Sequence, residues 1–153
     1  MKANPLHDAS RRRLAPGRLS SAGFLGPDAR PIDEIVAADV AELAEAGLSV
    51  EEVADLLDEL HAAADAGLEA PCAACDGRAT AAIVEGMGRI PCPFACGFRS
   101  HKAVVLVKAG DLELRFTPLH SHLIRKHGFF QGRGSEFRLE PRDLAALHRA
   151  CRG

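Results

Sequence analysis

The chain has 153 residues, 47% of them hydrophobic and 26% charged, with a formal net charge of −2: enough for one domain with a true core and perfectly ordinary for a globular protein. The longest purely aliphatic run is AVVLV at 103–107, too short for a membrane-spanning helix, and MKANPLHDASRRR lacks the apolar stretch of a secretory leader. With no Trp, no Tyr and seven Phe, broad aromatic stacking platforms are excluded as well.

Residues 1–30 carry Arg11, Arg12, Arg13, Pro16, Gly17, Gly23, Gly26 and Pro27 without periodicity, which predicts a disordered basic arm, with Phe24 and Leu25 as its only local dock. The segment 31–70 predicts an acidic helical hairpin. Its first helix starts at Pro31 and shows an apolar stripe of Ile32, Ile35, Val36, Val40 and Leu43, ending at Gly47. Ser49 and Glu52 form a capping box that opens the second helix, whose stripe is Val50, Val53, Leu57, Leu60 and Ala64, and Gly67 closes it. The second helix begins like a helix-turn-helix DNA reader, but the residues that follow, HAAADAGLEA, are acidic and donor-poor, which phosphate would repel.

From residue 78 the pattern changes to strands. ATAAIVE, then GMG, then RIP reads as two short strands around a turn, and FRSHKAVVLV and LELRFT flank a second turn, KAGD. Thr117 and Pro118 open a helix, LHSHLIRKH, that Gly128 stops, and Pro141 starts a last helix after the loop 129–140. Charge divides along the same line. Between Asp28 and Glu69 lie thirteen acids and one basic residue, Arg30; from Cys72 onward there are thirteen Lys or Arg against seven acids. The halves should attract each other or face different partners.

Five cysteines, four of them in two tight pairs, point to a metal site in a cytoplasmic chain more than to disulfides. Cys92 and Cys96, flanked by Pro91 and Gly97, form one half of a tetrahedral zinc site, and two other halves are available. Cys92, Cys96, His122 and His127 give C-x3-C-x25-H-x4-H; this set is the leading assignment. Cys72 and Cys75, followed by a turn at Asp76-Gly77, give C-x2-C-x16-C-x3-C as the alternative. His101 and His120 are spare ligands, while His61 reads as an ordinary helix-face histidine.

Over residues 72–128 these motifs resemble known zinc domains. The all-cysteine set is similar to a zinc ribbon, whose two knuckles meet at the metal across a short hairpin. The mixed set resembles a C2H2 zinc finger: a cysteine knuckle, Phe98 after it, histidines late in a helix, and Leu119 three residues before the first histidine. Its spacer is 25 residues against about 12 in that family, which an extra hairpin over 103–116 would absorb. Either resemblance implies a bound Zn2+ and a structural role, because zinc-binding free energy becomes folding free energy.

Other chemistries find less in the sequence. PCAAC lacks the H-x-E partner of a zinc deaminase, the turn after Cys75 does not fit a thioredoxin helix, and HLIRKH lacks a metalloprotease glutamate. Acidic helices before a four-cysteine finger faintly resemble regulators that enter the RNA polymerase secondary channel, though these helices are short for that coiled coil. Arg125, Lys126, Arg133 and Arg138, interleaved with Phe129, Phe130 and Phe137, are candidate nucleic-acid contacts.

The expectation is therefore an α+β protein: an arm (1–30), an acidic hairpin (31–70) usable as a protein-interaction surface, and a zinc-finger-like α+β domain (71–153). That domain would be a small zinc-stabilised antiparallel sheet with one or two helices. The function expected is a non-enzymatic, zinc-binding module for nucleic acid or protein, with no membrane role. The alternatives are a metal-dependent hydrolase or nuclease using His101, His120, His122 or His127, and an RNA-polymerase-binding regulator.

Overall fold

A computed structural model describes residues 23–68 and 70–153; residues 1–22, most of the expected arm, lie outside the described residues. In chain order the elements are α1 (Ile32–Glu45), α2 (Val50–Ala66), β1 (Cys72–Ala74), a 3-10 turn (Cys75–Gly77), β2 (Ala79–Pro91), β3 (Arg99–Ala109), β4 (Leu112–Phe116), α3 (Leu119–His127) and α4 (Pro141–Arg152). The strands form an antiparallel meander, β1-β2-β3-β4, so the fold is α+β with a small sheet. Among the described residues no helix is long and apolar enough to cross a membrane.

The local signals act where the chain carries them. Ser49 Oγ accepts from the Glu52 N–H, and the Glu52 carboxylate accepts from the Ser49 N–H, each at 3.2 Å, closing the capping box of α2. α2 then buries Val53, Leu56, Leu57 and Leu60 on one face while Glu51, Asp55, Asp58 and Glu59 stay exposed. β3 alternates: Ala103, Val105, Val107 and Ala109 are buried, whereas Lys102, Leu106 and Lys108 are exposed, the period of two that a sheet with one covered face requires. Those inward side chains share one core with the inner face of α2 and with Ile83, Phe116, Ile124, Phe130, Leu144 and Leu147. Hairpin and sheet thus fold around a common apolar centre.

One strand differs from its sequence reading. ATAAIVE, GMG and RIP are not two short strands around a turn; all thirteen residues of Ala79–Pro91 form β2. β3 is eleven residues long and offers a partner along the whole length, from Thr80↔Lys108 to Pro91↔Arg99. The glycine-rich piece is absorbed as a bulge: the pairing slips between Glu85↔Ala103 and Arg89↔His101, so three residues of β2 face Lys102 alone.

The end of the expected arm is part of the fold. Phe24 and Leu25 are buried, and the Gly132 N–H donates to the Phe24 carbonyl at 2.8 Å. A Cβ on Gly132 would run into the Leu25 carbonyl, so this close approach needs glycine. Asp28 accepts from the Arg30 side chain at 2.9 and 2.7 Å and from the Arg133 N–H at 3.0 Å, and the Arg30 guanidinium holds its carboxyl well below the usual range.

Arginines from the basic half close the structure onto the acidic half. Arg138 is deeply buried, with 4% of its side chain exposed, and binds Asp39 of α1, itself 2% exposed, through two nitrogens at 2.8 Å each. It also donates to Glu140 at 2.8 Å and to the Gln131 carbonyl at 2.7 Å. A buried pair of this kind adds little over an apolar pair of the same shape, but losing one partner strands the other. Arg138→Leu should therefore lower the unfolding free energy by about 3–5 kcal/mol, and adding Asp39→Leu should restore part of that loss. Urea titration of the single and double variants checks this; a double variant no more stable than Arg138→Leu contradicts it.

Candidate metal centre

The end of β2 and the start of β3 are joined by a knuckle. The Cys92 N–H donates to the Phe98 carbonyl at 2.8 Å, and the Ala95 N–H donates to the Cys92 carbonyl at 3.2 Å. Ala95 (φ 58°) and Gly97 (φ 90°) both take left-handed backbone, which turns the chain so that the two thiols share one side. Opposite stands α3, which places His122 and His127 five positions apart and ends at Gly128 in left-handed conformation (φ 61°).

The four side chains converge. One ligand atom from each of Cys92, Cys96, His122 and His127 falls in a group whose members all lie within 4.8 Å of one another. The closest pairs cross from knuckle to helix: Cys96 Sγ to His122 Nε2 is 3.1 Å, and Cys92 Sγ to His127 Nε2 is 3.5 Å. Aromatic rings fix the imidazoles. Phe98 stacks on His122 at 4.0 Å between centroids, Phe94 stacks on His127 at 4.3 Å, and Phe94 meets Phe129 edge-on at 5.4 Å. Beneath them lies a second apolar cluster of Phe24, Leu25, Ile32, Ile35, Leu119, Leu123 and Phe129, to which Cys92 itself belongs. Leu119, at the position where the sequence has a finger-like leucine, is part of this floor.

Burial sets the proton states. It pushes the Cys92 thiol up to about 11, and it lowers His122 and His127, helped by Lys126 beside the first and His122 beside the second. Burial thus favours the neutral imidazoles that ligation needs, while it disfavours the Cys92 thiolate unless a cation stands beside it. Two sulfurs and two imidazole nitrogens grouped within 4.8 Å could hold a metal ion, and such donors suit a transition metal better than Mg2+ or Ca2+.

The zinc-ribbon alternative is not what the fold assembles. Cys72 pairs with Ala81 in β1–β2, whereas Cys92 follows Pro91 at the far end of β2. Those ten residues of strand span about 30 Å at ~3.3 Å each, so Cys72 and Cys75 cannot reach Cys92 and Cys96. Cys75 instead shares a surface pocket of about 280 Å³ with Glu59, Cys151 and Arg152. Its sulfur is 3.5 Å from Glu59 Oε2, and burial pushes its thiol up to about 12. The sequence gives no sign that Cys151 would be its neighbour.

The spare histidines lie elsewhere. His101, on β3, faces His61 of α2 with ring centroids 5.5 Å apart. His120 is fully buried: its Nδ1 accepts from the Thr117 N–H at 2.9 Å, so its Nε2–H donates to the Phe137 carbonyl at 2.8 Å. It pins the loop 129–140 and is closed to catalysis or metal. Of the nucleic-acid candidates, Arg125 is committed to Glu51, Asp55 and Asp58 of α2 at 3.1, 2.7 and 3.0 Å. Arg138 is buried on Asp39, and Phe129 and Phe130 are core residues. Lys126 and Arg133 remain exposed.

Burial lowers the pKa of His120 to about 4, against an ordinary value near 6.5. Between those pH values the unfolded chain binds the extra proton, so stability falls as pH drops from about 6.5 to about 4, by about 3 kcal/mol for this group, and falls no further below. His120→Gln should flatten that part of the stability–pH profile relative to the parent. Denaturant unfolding from pH 4 to 7 reads it; parallel profiles would refute the assignment. No protein-family model, no curated protein and no solved structure matches the chain.

Proposed function

We propose that Cys92, Cys96, His122 and His127 hold one structural Zn2+ and that the chain is a non-enzymatic, finger-like interaction protein. The observation that carries this reading is the convergence of those four ligand atoms within 4.8 Å, over a dedicated apolar floor. A catalytic zinc keeps a position open for water or substrate beside a general base, whereas here the protein supplies all four ligands. Two of the histidines a hydrolase or nuclease could have used are elsewhere: His120 holds a loop, and His101 sits against α2.

A protein partner is favoured over nucleic acid. Three arginines of the basic half spend their charge on the acidic half: Arg125 on α2, Arg138 on α1, and Arg152 on Glu59 at 3.1 Å. Steep salt-dependent binding needs cations free to displace counterions from phosphate. The outward face of the sheet is by contrast apolar in places, with Val84 at 57% and Leu106 at 43% exposure.

Purified protein should contain one zinc per chain and lose its cooperative unfolding transition in strong chelator. Cys96→Ser and His127→Ala should lose the metal, while Cys72→Ser should keep it. Elemental analysis decides: retention by His127→Ala together with loss from Cys72→Ser would favour an all-cysteine site and defeat this one. Binding of generic DNA or RNA at low salt should be weak and little changed by Arg125→Ala; a large loss of affinity in that variant would restore the nucleic-acid reading.

A further inference from the structure

Apart from Cys92, Cys96, His122 and His127, two histidines and two carboxylates from α2, β2 and β3 lie side by side. His61 and Asp65 are one turn apart on α2, Glu85 ends the regular part of β2, and His101 is on β3. We propose that His61 and His101, with the carboxylates of Asp65 and Glu85, bind one divalent transition-metal ion such as Zn2+ or Ni2+. This site is independent of the centre formed by Cys92, Cys96, His122 and His127.

Three observations converge on it. The two imidazole rings lie 5.5 Å apart, close to the 5.3 Å between His122 and His127, the pair on the ligand group already described. Nε2 of His61 and Nε2 of His101 are both shielded from solvent and make no hydrogen bond. Buried ring nitrogens are normally paired, so two unpaired ones on facing rings point to a missing common partner. A carboxylate stands beside each: Asp65 Oδ2 is 3.4 Å from His61 Nε2 and Glu85 Oε1 is 3.9 Å from His101 Nε2, neither in hydrogen-bonding alignment.

The surroundings suit an exchangeable ion. Asp65 and Glu85 have side chains 50% and 57% exposed, so they can rotate onto a cation that arrives from solvent. Two carboxylates would neutralise its charge, and two imidazoles select borderline transition ions over Mg2+ or Ca2+. Directly after Glu85 comes the bulge at Gly86, Met87 and Gly88, which slips the register by which β2 pairs with His101's strand. Bulges re-aim side chains in this way beside functional sites. An ion here would bolt α2 to the sheet without touching a thiol.

The test is calorimetric titration of Ni2+ into the zinc-loaded full chain, with zinc content measured before and after. One saturable equivalent of Ni2+ should bind without releasing zinc. His61→Ala and His101→Asn should each weaken that binding ~10-fold or more, and Asp65→Asn and Glu85→Gln by less, as for loss of a ligand against loss of a weaker one. His101→Asn changes the more exposed ring and keeps the fold testable if His61→Ala does not. Zinc content that stays at one equivalent as Ni2+ saturates, in the parent and in His101→Asn alike, separates this site from the first. Absence of a saturable equivalent in the parent, or undiminished binding in His101→Asn, overturns the proposal.

Discussion

Everything around the knuckle depends on bringing two sulfurs from one end of the sheet against two imidazoles from one helix. Between Cys96 and His122 the chain runs out along β3, turns and comes back along β4, so the 25 intervening residues return α3 to the place where β2 ended. The aromatic rings then do what a metal alone cannot: Phe94 and Phe98 stack on the imidazoles and hold their Nε2 atoms toward the thiols. Because Cys92 is itself part of the lower apolar cluster, the ligand group and that cluster form together. Without a cation, the same burial keeps the Cys92 thiol protonated and leaves neutral groups packed where charge would be welcome.

The second constraint is electrostatic. An acidic hairpin and a basic half would each be poorly soluble companions for an apolar core if their charges faced inward unpaired. Arg125 reaches three carboxylates along the exposed face of α2, where screening limits its worth to a modest gain, while Arg138 and Asp39 meet almost free of water. The surface pairs orient the hairpin; the buried pair fixes which part of the loop 129–140 lies on α1. With His120 gripping the Phe137 carbonyl and Gly132 pressed on Leu25, that loop is a structural joint between α3 and the segment 24–28.

What the sequence disclosed follows the range of the interaction. Capping at Ser49, the stop at Gly128, the stripes of α1 and α2, and the hairpin inside the long spacer are written in residues a few positions apart, and each is in place. The ligand group combines two such local signals, a knuckle and a helix with histidines at five-residue spacing, so its members could be grouped as the leading set. Cys72 and Cys75 stayed open as alternative partners because only the sheet register places them at the other end of β2. The continuous β2 was hidden because GMG looks like a turn until an eleven-residue partner strand pairs across it. Cys75 beside Cys151, Arg138 on Asp39, and His61 facing His101 join positions 76, 99 and 40 residues apart, and nothing in local periodicity announces them.

The central claim is the identity of the atoms around the ion, and X-ray absorption at the zinc edge of the protein as purified reads it most directly. Two sulfurs at about 2.3 Å and two nitrogens at about 2.0 Å are the shell the proposed zinc site predicts. A shell of four sulfurs, one of nitrogen and oxygen only, or protein that folds without zinc would contradict it.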